Sequence, residues 1–149
     1  MSAFRVDQID HVELFVPDVY EAAAWYERTL GLAILKQHEH WVGDDRSGPL
    51  MISSDGGSTM LALFRGEPEG DGAPTGIRRI AFRVTGEGFL RFREHVAANP
   101  VGDRDGKQTG ALEPVDHGQA FSVYFRDPWG TLLEVTTYDV EEVRATLGK

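Results

Sequence analysis

Cysteine is absent from this chain, which excludes disulfides, thiolate metal sites and a cysteine nucleophile; any metal would have to be held by nitrogen and oxygen. Basic residues are few: 15 Lys and Arg stand against 24 Asp and Glu, for a formal net charge of −9. Neutralising phosphates needs basic patches that this sequence does not display, so a nucleic-acid partner is not expected. No apolar run approaches the roughly 20 residues of a membrane span, and the opening MSAFRVDQID lacks a basic-then-apolar leader pattern. Neither a membrane partner nor export is expected, and the chain reads as cytoplasmic. What remains is 149 residues, 41% hydrophobic and 26% charged, a composition that suits one globular domain or two small modules sharing a core.

Hydrophobic alternation predicts a strand over 9–16, with Val12, Leu14 and Val16 on one face and His11, Glu13 and Phe15 on the other. Pro17 ends it. Asp18 and Glu21 form a capping-box pattern that opens a helix through AAAWYERTL, closed by Gly31. Trp25 and Tyr26 read as packing residues of that helix. Strands are predicted over 31–39, 50–54 and 58–64, with Asp55-Gly56-Gly57 as the turn between the last two. The stretch RGEPEGDGAPT over 65–75 is rich in Gly, Pro and acid and reads as a linker.

The pattern then starts again. Residues 77–84 alternate, with Ile80, Phe82 and Val84 opposite Arg79, Ala81 and Arg83. Thr85 can cap a helix carrying Phe89, Phe92 and Val96, which Asn99-Pro100 stops, and His95 falls on its polar side. PVGDRDGKQTG reads as a loop, and strands are predicted over 112–116, 120–125 and 131–137. DGGSTMLALF from Asp55 aligns without gaps with DPWGTLLEVT from Asp127, so an internal repeat is expected. That alignment sets Ala62 opposite Glu134, and alignment of the first strands sets His11 opposite Arg79. The Asp127-Pro128-Trp129-Gly130 turn is expected to set the register that directs Glu134. Asp139 and Glu142 form a further capping-box pattern, opening a terminal helix with Val140, Val143 and Leu147 on one face.

The strands DHVELFV and IAFRV and the closing FRDPWGTLLEV hairpin resemble the repeat of the vicinal oxygen chelate superfamily, the glyoxalase, bleomycin-resistance and extradiol dioxygenase proteins. The resemblance covers nearly the whole chain. It implies an α+β fold: a single glyoxalase-like domain over 1–149, made of βαβββ modules at 1–64 and 76–138 with a C-terminal helix at 139–149. In that family the modules curl into half-barrels lining a cleft, and homodimers are common.

In metal-binding members, a divalent ion sits on inward residues of the first and last strands of both modules. Matched position by position, His11 corresponds to the first-strand histidine and Glu134 to the last-strand carboxylate. Arg79 stands where those members carry a histidine, and Ala62 where glyoxalase-like members carry a glutamate. A guanidinium stays protonated at neutral pH and cannot be a ligand. The resemblance therefore implies one of two arrangements. Either there is no cofactor, and Arg79 pairs with Glu134 and offers its other donors to an oxygen-rich ligand; or one divalent metal (Fe, Mn, Zn or Ni) is weakly held by His11 and Glu134, with His117 or a histidine near position 38 completing the shell. A purely structural Arg79–Glu134 ion pair is the plainer alternative.

His117, in DHGQAFSVYFRDP, matches a stretch where dioxygenase-like members carry an acid–base histidine; the residues themselves read equally as a polar turn. Tyr124 either faces the cleft as a donor or buries its ring. Glu13, Phe15 and Arg83 are expected to line the substrate pocket, and His38, His40 and Trp41 read as surface residues at a strand end. Three functions follow. The first is binding, with or without turnover, of a small oxygenated or aromatic molecule over a degenerate metal site. The second is a metal-dependent dioxygenase, lyase or isomerase. The third is a non-catalytic structural or partner-binding protein with a decayed cleft.

Overall fold

A computed structural model describes residues 4, 5, 7–67 and 77–148. Its contacts divide the chain into two compact units, residues 1–72 and 73–149. Of the stretch expected to link the repeats, 68–75 lie outside the described residues.

In the first unit the strand His11–Val16 (β1) stops at Pro17, which has no N–H to continue a ladder. Asp18 then accepts hydrogen bonds from Tyr20 N at 2.9 Å and Glu21 N at 3.0 Å, and the helix Val19–Leu30 (α1) begins. It closes on Gly31, in the left-handed region at φ 72°, whose N–H donates to Glu27 O. Val19, Ala22, Ala23 and Tyr26 recur at helical spacing and are buried. Trp25 is buried beside Tyr26, edge to face at 4.9 Å, as packing residues should be. Ala33–Ile34 (β2), Leu50–Ser53 (β3) and Met60–Arg65 (β4) complete a sheet of order β1-β4-β3-β2, parallel between β1 and β4 and antiparallel elsewhere.

The strand expected over 31–39 shrinks to two residues. KQHEH has no alternating apolar face to give a sheet, and it turns instead into a 3-10 segment, Lys36–Val42. There Lys36 Nζ and Tyr20 OH both donate to Glu39, and His38 stacks on Trp41 at 4.0 Å. His38, His40 and Trp41 thus sit on a short helix, not at a strand end.

The second unit runs Ile80–Arg83 (β5), Gly86–Ala98 (α2), Val101–Gly102 (β6), Gln108–Thr109 (β7), Val115–Asp116 (β8), Phe121–Arg126 (β9), Leu132–Thr137 (β10) and Val140–Leu147 (α3). Thr85 caps α2 by accepting from Gly88 N at 3.0 Å. The sheet order is β5-β10-β9-β6-β7, with β8 paired to β9 and β5 parallel to β10. In each unit, therefore, the first strand lies beside the last, the last beside the penultimate, and the penultimate beside the second. The fold is α+β, with two open sheets.

Four sequence expectations in this unit need correction. The loop PVGDRDGKQTG contains the β6–β7 hairpin, because Asp103 Oδ1 accepts from Asp105 N and Lys107 N and folds the chain back without any apolar alternation. The strand expected over 112–116 is only Val115–Asp116. The Asp139 side chain does not cap its own helix α3; it accepts from Gly86 N at 2.7 Å, in the first turn of α2. His95, expected in solvent, is half-buried with its ring 6.5 Å from that of Phe92.

The repeat extends to turn chemistry. Asp55 Oδ1 accepts from Thr59 N at 3.0 Å before β4, and Asp127 Oδ1 accepts from Thr131 N at 2.8 Å before β10. Each aspartate fixes where its hairpin starts and so fixes the register. The consequence is that Ala62 pairs with Glu13 across β1, and Glu134 pairs with Ala81 across β5. Two residues upstream on the first strands lie His11 and Arg79, the equivalence that the sequence alignment proposes.

Candidate functional site

The sheet of the second unit is apolar on one face and polar on the other, because side chains alternate along β9 and β10. Phe121, Val123, Phe125, Leu133 and Val135 are buried, and α2 covers this side with Phe92 5.4 Å from Phe125 and Phe89 6.4 Å from Phe121. The intervening residues Ser122, Tyr124, Glu134 and Thr136 share the other face, with Tyr124 directly opposite Glu134 and Ser122 opposite Thr136. Arg79 enters from the residue before β5.

On this face Arg79 Nη1 lies 3.8 Å from Glu134 Oε1, with side-chain exposures of only 19% and 16%. That separation is an ion pair but too long for a direct hydrogen bond. The other carboxylate oxygen, Oε2, accepts from Ser122 Oγ at 2.8 Å; Ser122 Oγ also lies 2.9 Å from Thr136 Oγ1, which donates to Phe121 O. Glu134 is thereby held in one orientation while Oε1 stays directed at the guanidinium. Arg79 Nε is buried and has no hydrogen-bond partner, a position that normally carries a cost of about 1–3 kcal/mol.

Tyr124 is the hub. Its ring carries the Arg79 guanidinium at 4.3 Å and that of Arg104, from the β6–β7 hairpin, at 4.1 Å, while its hydroxyl lies 2.7 Å from His117 Nε2. The two readings of His117 meet here. It does occupy a turn, with its N–H donating to Ala120 O and Gly118 at φ 85°, and that turn directs the ring at Tyr124. Arg144 of α3 holds the same turn, donating from Nη2 to Asp116 Oδ1 at 3.1 Å and to Gly118 O at 2.9 Å.

The structure thus brings Arg79, Glu134, Tyr124 and His117 together on one unit. Arg83 lies instead over the Tyr138 ring, at 5.0 Å. Arg104, Ser122 and Arg144 have places here that sequence reasoning missed. Ser122 shares the alternation of Tyr124 and could have been found from it; Arg104 and Arg144 come from a hairpin and a helix whose contacts leave no periodic trace.

His11, Glu13 and Phe15 occupy one face of β1 in the first unit. His11 Nδ1 lies 2.8 Å from Asp10 Oδ2 and Nε2 lies 3.1 Å from Glu13 Oε2. These hydrogen bonds, to Asp10 first and then Glu13, raise the imidazole pKa above its ordinary value. Ala62 is 1% exposed, clustered with Leu35, Met51 and Met60, with Phe64 packed against them. By strand register Met51 is the counterpart of Tyr124 and Ala62 of Glu134, so this face is apolar where its equivalent is polar.

The divalent metal that the resemblance implies was tested against these residues. Glu134 faces a guanidinium, both nitrogens of His11 are engaged by carboxylates, and position 62 is sunk among aliphatic and thioether groups. Among the described residues, no group of three or more His, Asp or Glu could hold a metal ion. This donor set does not fit the metal.

Comparison with known proteins agrees with the fold. The family model described as the glyoxalase/bleomycin resistance protein/dioxygenase superfamily matches residues 8–135. No curated protein matches the chain. Among solved structures, a glyoxylase/bleomycin resistance protein/dioxygenase domain from Frankia sp. EAN1pec is 20% identical with a TM-score of 0.65, over 90% of this chain and 93% of that one. A structure from the mobile metagenome of V. Pseudocholerae is 25% identical with a TM-score of 0.62, over 92% and 98%. A mutant of the fosfomycin resistance protein FosX from Listeria monocytogenes, complexed with Mn(II) and 1S,2S-dihydroxypropylphosphonic acid, is 18% identical with a TM-score of 0.58, over 93% and 98%.

Proposed function

The chain belongs to the glyoxalase/bleomycin resistance protein/dioxygenase superfamily, and from that premise we propose that it binds a small oxygenated molecule on the polar face of its second unit without needing a divalent metal. The observation that carries this reading is Arg79. It stands at the register of a family metal ligand, paired at 3.8 Å with the one carboxylate a metal would use there and with its Nε unsatisfied. A fixed guanidinium does part of what the exchangeable cation does: it places positive charge and directed donors beside substrate oxygens. Beside it, His117 and Tyr124 can pass a proton along a 2.7 Å contact, so any turnover at this face would be proton transfer to or from the bound molecule.

The test is ligand-observed NMR with catechol and lactamide as oxygenated probes, in the presence of EDTA, on the intact chain and on Arg79→Ala. Binding that survives EDTA and weakens at least tenfold in Arg79→Ala is expected. Binding that EDTA abolishes, together with stoichiometric metal in protein purified without chelator, would establish the metalloprotein reading instead.

A further inference from the structure

Resting on that reading, we infer that the ligand is an anion, a small molecule with a carboxylate-type group gripped jointly by Arg79 and Arg104. Two guanidinium carbons lie 4.3 and 4.1 Å from one ring centroid, so they can be no farther apart than the sum of those distances. At that upper bound they stand about one screening length, ~8 Å, apart at physiological salt, and at any closer spacing their repulsion is only partly screened. The ring quadrupole attracts each of them but does not cancel their mutual repulsion. Among the described residues one carboxylate serves the pair: Glu134 faces Arg79 through Oε1 at 3.8 Å and spends Oε2 on Ser122. Among the described residues, Arg104 has no carboxylate within ion-pair distance.

Arg104 is also held in place. Its carbonyl accepts from Arg126 Nε at 2.7 Å, Arg126 Nη1 bonds Gly130 O at 2.7 Å, and Asp103 turns its own carboxylate back onto the hairpin backbone. A long exposed side chain that leaves a backbone anchored this way and stacks on a buried tyrosine is preorganised for a partner. Arg79 Nε supplies a second, independent sign, since it is a buried donor in search of an acceptor. A planar carboxylate satisfies both observations at once: it accepts from two guanidiniums and neutralises the excess local charge. The net charge of −9 opposes any anion at long range, but salt screens that field beyond about 8 Å. The short-range donors decide, and they make recognition selective.

The experiment uses the full chain labelled with nitrogen-15, titrated with benzoate and phenylacetate and, in parallel, with benzamide and phenylacetamide as uncharged counterparts. The acids are expected to shift the Nε–Hε resonances of Arg79 and Arg104, and to bind at least tenfold more tightly than the amides. Arg104→Gln should remove that preference, and Arg104→Lys should restore part of it. Amides that bind as well as acids would overturn the anion assignment while leaving the binding face intact. Acids that leave Arg79 and Arg104 unshifted would overturn it too, and catechol binding then shows separately whether the face binds ligands at all. An acid preference unchanged by Arg104→Gln would remove Arg104 from the site.

Discussion

At the scale of single residues, the two halves of the repeat have diverged where they once could have been alike. Ala62 and Glu134 hold the same register, yet one lies among Met51, Met60 and Leu35 and the other between Arg79 and Ser122. Writing the family's glutamate back as Ala62→Glu should therefore destabilise the fold, by on the order of 3 kcal/mol or more, because a carboxylate would be buried with no partner. Urea denaturation measures this, and a variant as stable as the parent would show that the apolar cluster opens easily. His11 makes a pH prediction. Its folded-state pKa is raised, so the protonated form contributes stability that is fully present below the unfolded value near 6.5. That contribution is lost as pH rises through the folded value. Asp10→Asn combined with Glu13→Gln should return the NMR titration midpoint of His11 towards its ordinary value and flatten this part of the stability profile.

At the scale of elements, the site depends on pieces that contribute no ligand contact. The C-terminal helix α3 fastens the β8–β9 turn through Arg144, which bonds residues on both sides of His117. Arg144→Gln should loosen the His117–Tyr124 contact: the His117 ring resonances should move towards those of a solvated imidazole, while the thermal midpoint falls only slightly, as for a half-exposed ion pair. In the first unit Gly48 packs back on the end of the 3-10 segment, donating to Val42 O at 3.0 Å, and an added Cβ there would sit 1.9 Å from the carbonyl oxygen of Trp41. Backbone cannot move aside as a side-chain end can. Gly48→Ala is expected to cost about 1–3 kcal/mol, read by urea denaturation, with the His38–Trp41 stack disturbed in the near-ultraviolet circular dichroism.

At the scale of the whole molecule, the charge excess is acidic while the polar face of the second unit is cationic, with Arg79 and Arg104 against Glu134. Removing metal should then leave the protein unaffected: EDTA should not change its thermal midpoint, whereas a resident divalent ion would show itself as a drop. The homodimer expected from the family resemblance is tested by sedimentation equilibrium, where a monomer mass across the concentration range would exclude it. No described helix is long and apolar enough to cross a membrane.

Much of this was legible in the sequence, for local reasons. Pro17, Asp18, Gly31, Thr85 and Asn99 bound their helices through interactions within a few residues, and the Asp55 and Asp127 turns announce matching hairpins. The pairing of Ala62 with Glu13 and of Glu134 with Ala81 follows once those turns are aligned, and with it the equivalence of His11 and Arg79. What alternation could not reveal was the company each residue keeps. The residues 31–39 have no long-range signature that separates a strand from a 3-10 turn, and two-residue strands such as β6 and β7 are too short for any period.

The sequence by itself determined the repeat, the helix boundaries, and which residue types stand at the matching positions 62 and 134, 11 and 79, because these depend on residue identity and nearest neighbours. Only the tertiary structure decided that Arg104 joins Arg79 on the Tyr124 ring, that His117 reaches the same tyrosine from its turn, and that Asp139 serves α2 rather than its own helix. The first and last of those contacts join elements distant in sequence, the second spans seven residues across a turn, and what fixes all three is strand pairing and packing, which no local preference encodes.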